Sequence, residues 1–249
     1  TMTTATLTRT LATSKDRKVA NVVSPNGKTA VISNTFGLAN GKAFSCSYAT
    51  DYCEKICYAG KLENLFKGVG KQMLANYEAL SNATFDEMLY MLDGIITKFI
   101  AESRKRDAEM IYRIHWDGDF FSIDYINAWK AVISEYSMVQ FWVYTRVPDA
   151  VRILSQANLS NLSLYFSADP SNERLAHAIA KTYGVRIAAV HETFSDSQAM
   201  VERITGRVGA KCPEQTGQIP LISANGSACA TCRLCVDNKA NISFSRSKK

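Results

Sequence analysis

Met110-Ile-Tyr-Arg-Ile-His115-Trp-Asp-Gly-Asp119 decides the fold. A short aromatic and β-branched run of strand character ends abruptly at a histidine and a glycine turn carrying two carboxylates. Behind it Ile123, Ile126, Trp129, Val132, Ile133 and Tyr136 recur at three- and four-residue steps. That spacing is one apolar face of a helix. The unit then repeats. A strand over 140–144 precedes a helix opened by Pro148 and running to about 156, and a strand over 162–166 precedes a helix over 172–183 stopped by Gly184. A strand over 185–190 leads into a short helix over 195–202. Four strand-then-helix units in a row predict a parallel sheet. Right-handed crossovers wind such units into a barrel or a doubly wound sheet. No Gly-x-Gly-x-x-Gly follows any strand, which argues against the dinucleotide-binding version. The expectation is an α/β fold, a (β/α) barrel-like domain of partial or open TIM type, with cysteine-rich loops at both ends of the chain.

Upstream, Asn21-Val-Val and Thr29-Ala-Val-Ile-Ser33 flank an Asn26-Gly27 pair and read as a hairpin. The segment 62–80 is helix-like. From Thr84 the apolar residues Phe85, Met88, Leu89, Leu92, Ile95, Ile96 and Phe99 mark a long amphipathic helix. Thr84 and Glu87 stand at capping-box spacing. The chain reads as one domain over 1–249: a weakly ordered end over 1–18, the barrel with both cysteine loops over 19–236, and a basic tail over 237–249.

The 249 residues are 47% hydrophobic and 21% charged, with a net charge of +6. These values exclude a disordered or low-complexity chain. No apolar run approaches the roughly 18 residues of a membrane span, and the N-terminal residues lack a signal-peptide core. A cytosolic protein is expected, with no membrane partner. Much of the positive charge sits at the two ends. Arg104-Lys105-Arg106 closes a helix, where cations suit the dipole, so nucleic acid is not the expected partner.

All four repeated strands exit into ionisable residues: His115, Asp117 and Asp119; Arg146; Asp169; His191 and Glu192. Active sites of such barrels are built at those exits. His115, Asp119 and Arg146 are the catalytic candidates, because a histidine beside carboxylates can carry a proton and an arginine can hold an anionic group. Tyr58, Asp117, Asp169, His191 and Glu192 are the candidates for binding a cofactor. His177, in mid-helix, reads as structural.

The seven cysteines fall in two blocks, Cys46, Cys53 and Cys57, then Cys212, Cys229, Cys232 and Cys235. They lie among Gly, Ser, Thr and Pro rather than in the apolar elements, as ligand loops do. An odd count without a secretion signal argues against a disulfide framework. The Cys229-x2-Cys232-x2-Cys235 run suits one corner of a cubane, and an iron–sulfur cluster, [4Fe–4S], is the preferred cofactor. Zinc on Cys212, Cys229, Cys232 and Cys235 is the alternative. The two blocks furnish either one cluster between them or two adjacent sites.

Phe44-Ser-Cys46, Cys53-Glu-Lys-Ile-Cys57-Tyr58-Ala-Gly60, Arg113-Ile-His115-Trp-Asp-Gly118-Asp119-Phe120, Phe141-Trp142-Val-Tyr144-Thr-Arg146 and Lys211-Cys212-Pro213, with the Cys229–Cys235 run, resemble the phage-encoded gene product eighty-eight family. The resemblance covers roughly residues 30–236. It implies a phage origin, a cluster-binding role and a barrel related to radical S-adenosylmethionine enzymes. Those enzymes carry Cys-x3-Cys-x2-Cys; here Gly60 stands at the third position, and Cys46 lies upstream instead. S-adenosylmethionine is therefore a disfavoured second cofactor. Two classes of function follow: a redox or radical-type iron–sulfur protein acting on a small molecule, or a non-catalytic protein whose structural metal presents a surface to a host or phage protein.

Overall fold

The structure is a computed structural model and describes residues 10–23, 27 and 29–246. The chain begins with β1 (Thr13–Ser14), the hairpin β2 (Asn21–Val23) and β3 (Thr29–Val31), and β4 (Thr35–Phe36). The hairpin strands pair antiparallel as expected, while most of the turn over 24–28 lies outside the described residues. Three helices follow: α1 (Asp51–Ile56), α2 (Tyr58–Leu65) and α3 (Lys67–Ser81). The helix expected over 62–80 is thus broken at Phe66, whose extended backbone (φ −117°, ψ 93°) ends one helix and caps the next. Next comes α4 (Phe85–Lys105), where Thr84 and Glu87 form the reciprocal capping box.

The four repeated units are β5 (Ile111–Ile114) and α5 (Ile123–Glu135), β6 (Gln140–Thr145) and α6 (Pro148–Gln156), β7 (Leu162–Ala168) and α7 (Glu173–Tyr183), and β8 (Arg186–His191) and α8 (Phe194–Thr205). Gly184 ends α7 at φ +66°, the left-handed cap expected of a glycine. Beyond α8 lie β9 (Ala210–Lys211), the small hairpin β10 (Ile222–Ser223) and β11 (Gly226–Ser227), α9 (Ala228–Cys232) and β12 (Ile242–Ser245).

Eight strands form one sheet in the order β1-β4-β5-β6-β7-β8-β12-β9. All neighbours from β4 to β9 are parallel, and only β1 runs against its neighbour. The sheet is open: its edges are the two-residue strands β1 and β9, and among the described residues no pairing joins them. A closed TIM-type barrel is therefore not formed.

Two further expectations are corrected. Residues 10–18 are tied into the fold by β1 and by Asp16, which accepts from the Arg113 guanidinium at 2.6 Å; residues 1–9 lie outside the described residues. The basic tail over 237–249 contributes β12, which sits inside the sheet between β8 and β9. Its sequence, Ile-Ser-Phe-Ser, is an alternating strand without charge, between Asp237 and Lys239 on one side and Arg246 on the other. Residues 247–249 are not described.

Strand alternation divides the burial. Tyr112, Ile114, Phe141, Val143, Leu164, Phe166, Ile187 and Ala189 face one side and join the main apolar core with the buried residues of α4 to α8. Ile111, Trp142, Tyr165, Ala188 and Ile242 face the other side. There they meet no repeated helix. The cysteine-rich C-terminal segment covers them instead, with Val236, Leu234, Cys229, Cys235 and Cys212 packed on these side chains.

Candidate functional site

On that second face lies a cavity of about 590 Å³, within the size range of small-molecule sites. All seven cysteines line it, although the two blocks are 154 residues apart between Cys57 and Cys212. All seven are free thiols.

The N-terminal block is held at the strand exits. Thr50 caps α1 by accepting from the Cys53 amide at 2.9 Å, and its own hydroxyl donates to Asp169 Oδ2 at 2.6 Å. Cys57 caps α2, its Sγ accepting from the Gly60 amide at 3.3 Å. The Tyr58 hydroxyl donates to the Trp116 carbonyl at 2.8 Å, placing this half-exposed ring across the turn after β5. Ser45, beside Cys46, donates to the Ala39 carbonyl at 2.7 Å and accepts from the Asp119 amide at 3.2 Å.

The Cys229–Cys235 run is held lower on the same face, whereas Cys212 meets β12 at Ser243, level with Ala168 of β7. Ser163 and Gln140 both donate to the Val236 carbonyl, at 2.6 and 2.9 Å. The Tyr165 hydroxyl donates to the carbonyls of Leu234 and Ala240 at 3.1 and 3.0 Å. The Cys229 amide donates to the Lys18 carbonyl, and the Cys212 amide to that of Ser243.

Charge is distributed unevenly around the thiols. Lys18 and Arg113 lie beside the C-terminal block, the first near Cys212 and Cys229, the second near Cys229 and Cys235. Arg113 packs over the Tyr144 ring at 5.6 Å. The N-terminal block instead borders carboxylates, with Asp119 and Asp117 near Cys46 and Arg146 near Cys53. Burial pushes the thiols of Cys46 and Cys235 up to about 12, and those of Cys53, Cys57, Cys212 and Cys229 up as well.

Arg146 comes to this rim as expected. Its guanidinium donates to the fully buried Asp169 at 2.9 Å and lines the cavity. Asp119 also lines it, but its carboxylate is engaged by the Phe120 amide (2.8 Å), the Thr145 hydroxyl (2.6 Å) and the Arg146 amide (2.8 Å). Asp119 is thus a brace for the β6 exit and for Arg146. Asp117 differs, because both of its carboxylate oxygens are buried without a hydrogen-bond partner. Burial, followed by the neighbouring Glu63, pushes its carboxyl up to about 8.

His115 adopts φ +59°, and its ring lies among Phe36, Phe120, Tyr125 and Trp129. Its Nε2 meets the Tyr125 hydroxyl at 2.7 Å. Burial, followed by the Arg113 charge, lowers it to about 3, so the ring is neutral near pH 7 and acts as an aromatic core residue rather than a proton carrier. Three residues expected to bind a cofactor, Asp169, His191 and Glu192, do not line the cavity. Asp169 lies beneath Arg146 and Thr50, where polar strand exits serve as anchors. Glu192 accepts from Tyr52 at 3.2 Å and from Arg246 at 2.9 Å, joining α1 to the end of β12. His191 accepts from its neighbour's amide, Glu192 N, at 2.8 Å. His177 lies exposed on α7.

Sequence reading missed Lys18, Arg113 and Asp16. The signal was Arg113 itself, a charge within a buried strand, on the face opposite Tyr112 and Ile114. Among the described residues, no three His, Cys, Asp or Glu side chains converge tightly enough to hold a single metal ion. No helix of the described residues is long and apolar enough to cross a membrane.

No solved structure matches the chain. Two curated relatives do, both named Gene 88 protein. That of Mycobacterium phage D29 is 43% identical over 243 residues, covering 96% of this chain and 99% of the relative. That of Mycobacterium phage L5 is 43% identical over 242 residues with the same coverage. The family model described as Gene product 88 matches residues 5–238. The chain belongs to the Gene product 88 family.

Proposed function

We propose that this protein binds iron–sulfur clusters, of [4Fe–4S] type, on its two cysteine blocks, and presents them to a small molecule in the cavity. One observation carries the reading: every thiol of the chain, from two distant blocks, lines the same cavity. Seven structural thiols serving as small hydrophobes have no reason to converge in this way. Mutual spacing also favours a cluster over a lone zinc. Four thiolates around one zinc lie about 3.8 Å apart, given Zn–S bonds of about 2.3 Å, and no such convergence is present among the described residues. A cubane distributes its ligands over four irons and accepts a wider set. Lys18 and Arg113 suit the anionic charge of thiolate-bound iron.

A bound cluster supplies one-electron chemistry. The chain's own residues define the space beside it. Arg146, fixed by Asp169, offers a guanidinium for an anionic group of the bound molecule, and the buried carboxyl of Asp117, protonated near pH 7, offers a hydrogen-bond donor. Tyr58 and the α1–α2 segment line one side of the cavity.

The test is iron, acid-labile sulfide and zinc content of protein purified without oxygen, with the visible spectrum before and after dithionite. Brown protein with at least about four irons and four sulfides per chain, bleached by dithionite, is expected. About one zinc and no visible absorption would establish instead a structural metal, and a role through a host or phage partner.

A further inference from the structure

Resting on the iron–sulfur reading, we infer that the seven thiols form two separate centres in one chamber: an open one on Cys46, Cys53 and Cys57, and a closed one on Cys212, Cys229, Cys232 and Cys235.

Strand β7 measures the separation. The segment around Cys235 is pinned to it at Ser163 and Tyr165, the N-terminal block at Asp169 through Thr50. From these two pins to Asp169 a strand climbs roughly 13 to 20 Å. One cubane, with bonds near 2.3 Å, holds its sulfur ligands within roughly 7 Å of one another. A single cluster would have to draw both pinned segments together; two clusters leave them where they are.

Local charge also divides along this line. Cys235 has Cys212, Cys232 and Cys229 as near neighbours, and Lys18 is shared by Cys212 and Cys229. Cys53 and Cys57 are neighbours of each other, while Cys46 and Cys53 share Asp119, and Cys46 and Cys57 share Asp117. Arg113 and Tyr144 stand on the strands beneath the first group, Arg146 and Asp117 around the second.

The upper group has no fourth thiol, and the fold explains why. Position 60, the turn after Cys57, is glycine, and a Cβ there would come within 3.1 Å of Asn40 Oδ1. Asn40 cannot yield freely, since its amide and side chain both donate to Glu63, at 3.1 and 2.7 Å. A cubane on three thiolates leaves one iron without a protein ligand. That iron would face the cavity between Arg146 and Asp117, where a small molecule with an oxygen or nitrogen donor can reach it. The lower group, closed by four thiolates, is left to transfer electrons.

The experiment counts iron and sulfide in wild-type protein, in Cys53→Ala/Cys57→Ala and in Cys232→Ala/Cys235→Ala, all purified without oxygen. The expected values are about eight irons in the wild type and about four in each double variant. Loss of all iron from either folded variant, or about four irons in the wild type, overturns the two-centre inference while leaving the iron–sulfur reading intact. No iron in the wild type overturns both. The wild-type count decides the matter even where a variant fails to fold.

Discussion

The Thr50 hydroxyl donates to the buried carboxylate of Asp169 at 2.6 Å, across 119 residues of sequence. One side chain thereby caps the helix carrying Cys53 and fixes that helix to a strand exit. Asp169 Oδ2 also receives Arg146, so the cysteine helix and the arginine of the rim share an anchor.

Thr50→Val removes both the cap and the anchor. A stability loss of about 1–2 kcal/mol is expected from a lost N-cap, read as a lower denaturant midpoint, together with fewer irons per chain. Thr193→Val is the control. Thr193 caps α8 in the same manner, accepting from Asp196 at 3.1 Å, and lies away from the cysteines. It should lower stability comparably and leave iron unchanged; an equal loss of iron in both variants would refute the anchoring role.

Gly118 is the residue on which the turn after β5 depends. It sits at φ +84°, and an added Cβ would come within 2.6 Å of Ser45 Oγ and 2.9 Å of the Leu38 carbonyl. Gly118→Ala therefore combines left-handed strain of about 1 kcal/mol with overpacking of about 1–3 kcal/mol. An expected loss of about 3 kcal/mol is checked by urea unfolding. Ser45 adjoins Cys46, so iron binding should weaken too.

The repeated strand-helix units were legible because each carries its own signals. Pro148 opens α6 and Gly184 closes α7 at the expected positions, and the Thr84–Glu87 box is formed as spaced. An open sheet was among the expectations, but where it ends was not legible. That depends on the edge strands, and β1 and β9 are too short to leave a periodic trace. Charge at the C-terminal end masked Ile242–Ser245, whose alternation is that of a strand. At the site, residue type led to the right neighbourhood but not to the right direction. Arg146, Asp117 and His115 all line the cavity, but the His115 ring packs among aromatic core residues, because its positive φ redirects the side chain after the strand. Such a reversal is a backbone property that periodicity does not encode.

Asp117 makes stability depend on pH. Its carboxyl is raised to about 8 in the fold against about 4 in the unfolded chain. The folded state then binds the extra proton, so the contribution is fully present below about pH 4 and is lost as pH rises towards 8. Asp117→Asn should flatten this decline and make the metal-free protein more stable than wild type at pH 8. Equal slopes for the two proteins between pH 5 and 8 would show that Asp117 ionises normally.

His115 supplies the opposite slope. Its folded value, about 3, lies below the unfolded 6.5, so the unfolded chain takes up the proton first. Its contribution is complete above about pH 6.5 and is lost as pH falls towards 3. His115→Phe keeps a ring among Phe36, Phe120 and Trp129 but leaves the buried Tyr125 hydroxyl without its partner. A loss of about 1–2 kcal/mol at pH 7 is expected from that orphaned group, with a shallower decline below pH 6. Iron content should match wild type, because the ring, though at the edge of the cavity, is packed against Phe36, Phe120 and Tyr125. Loss of iron with stability retained would make His115 a ligand, and the neutral core assignment would fall with it.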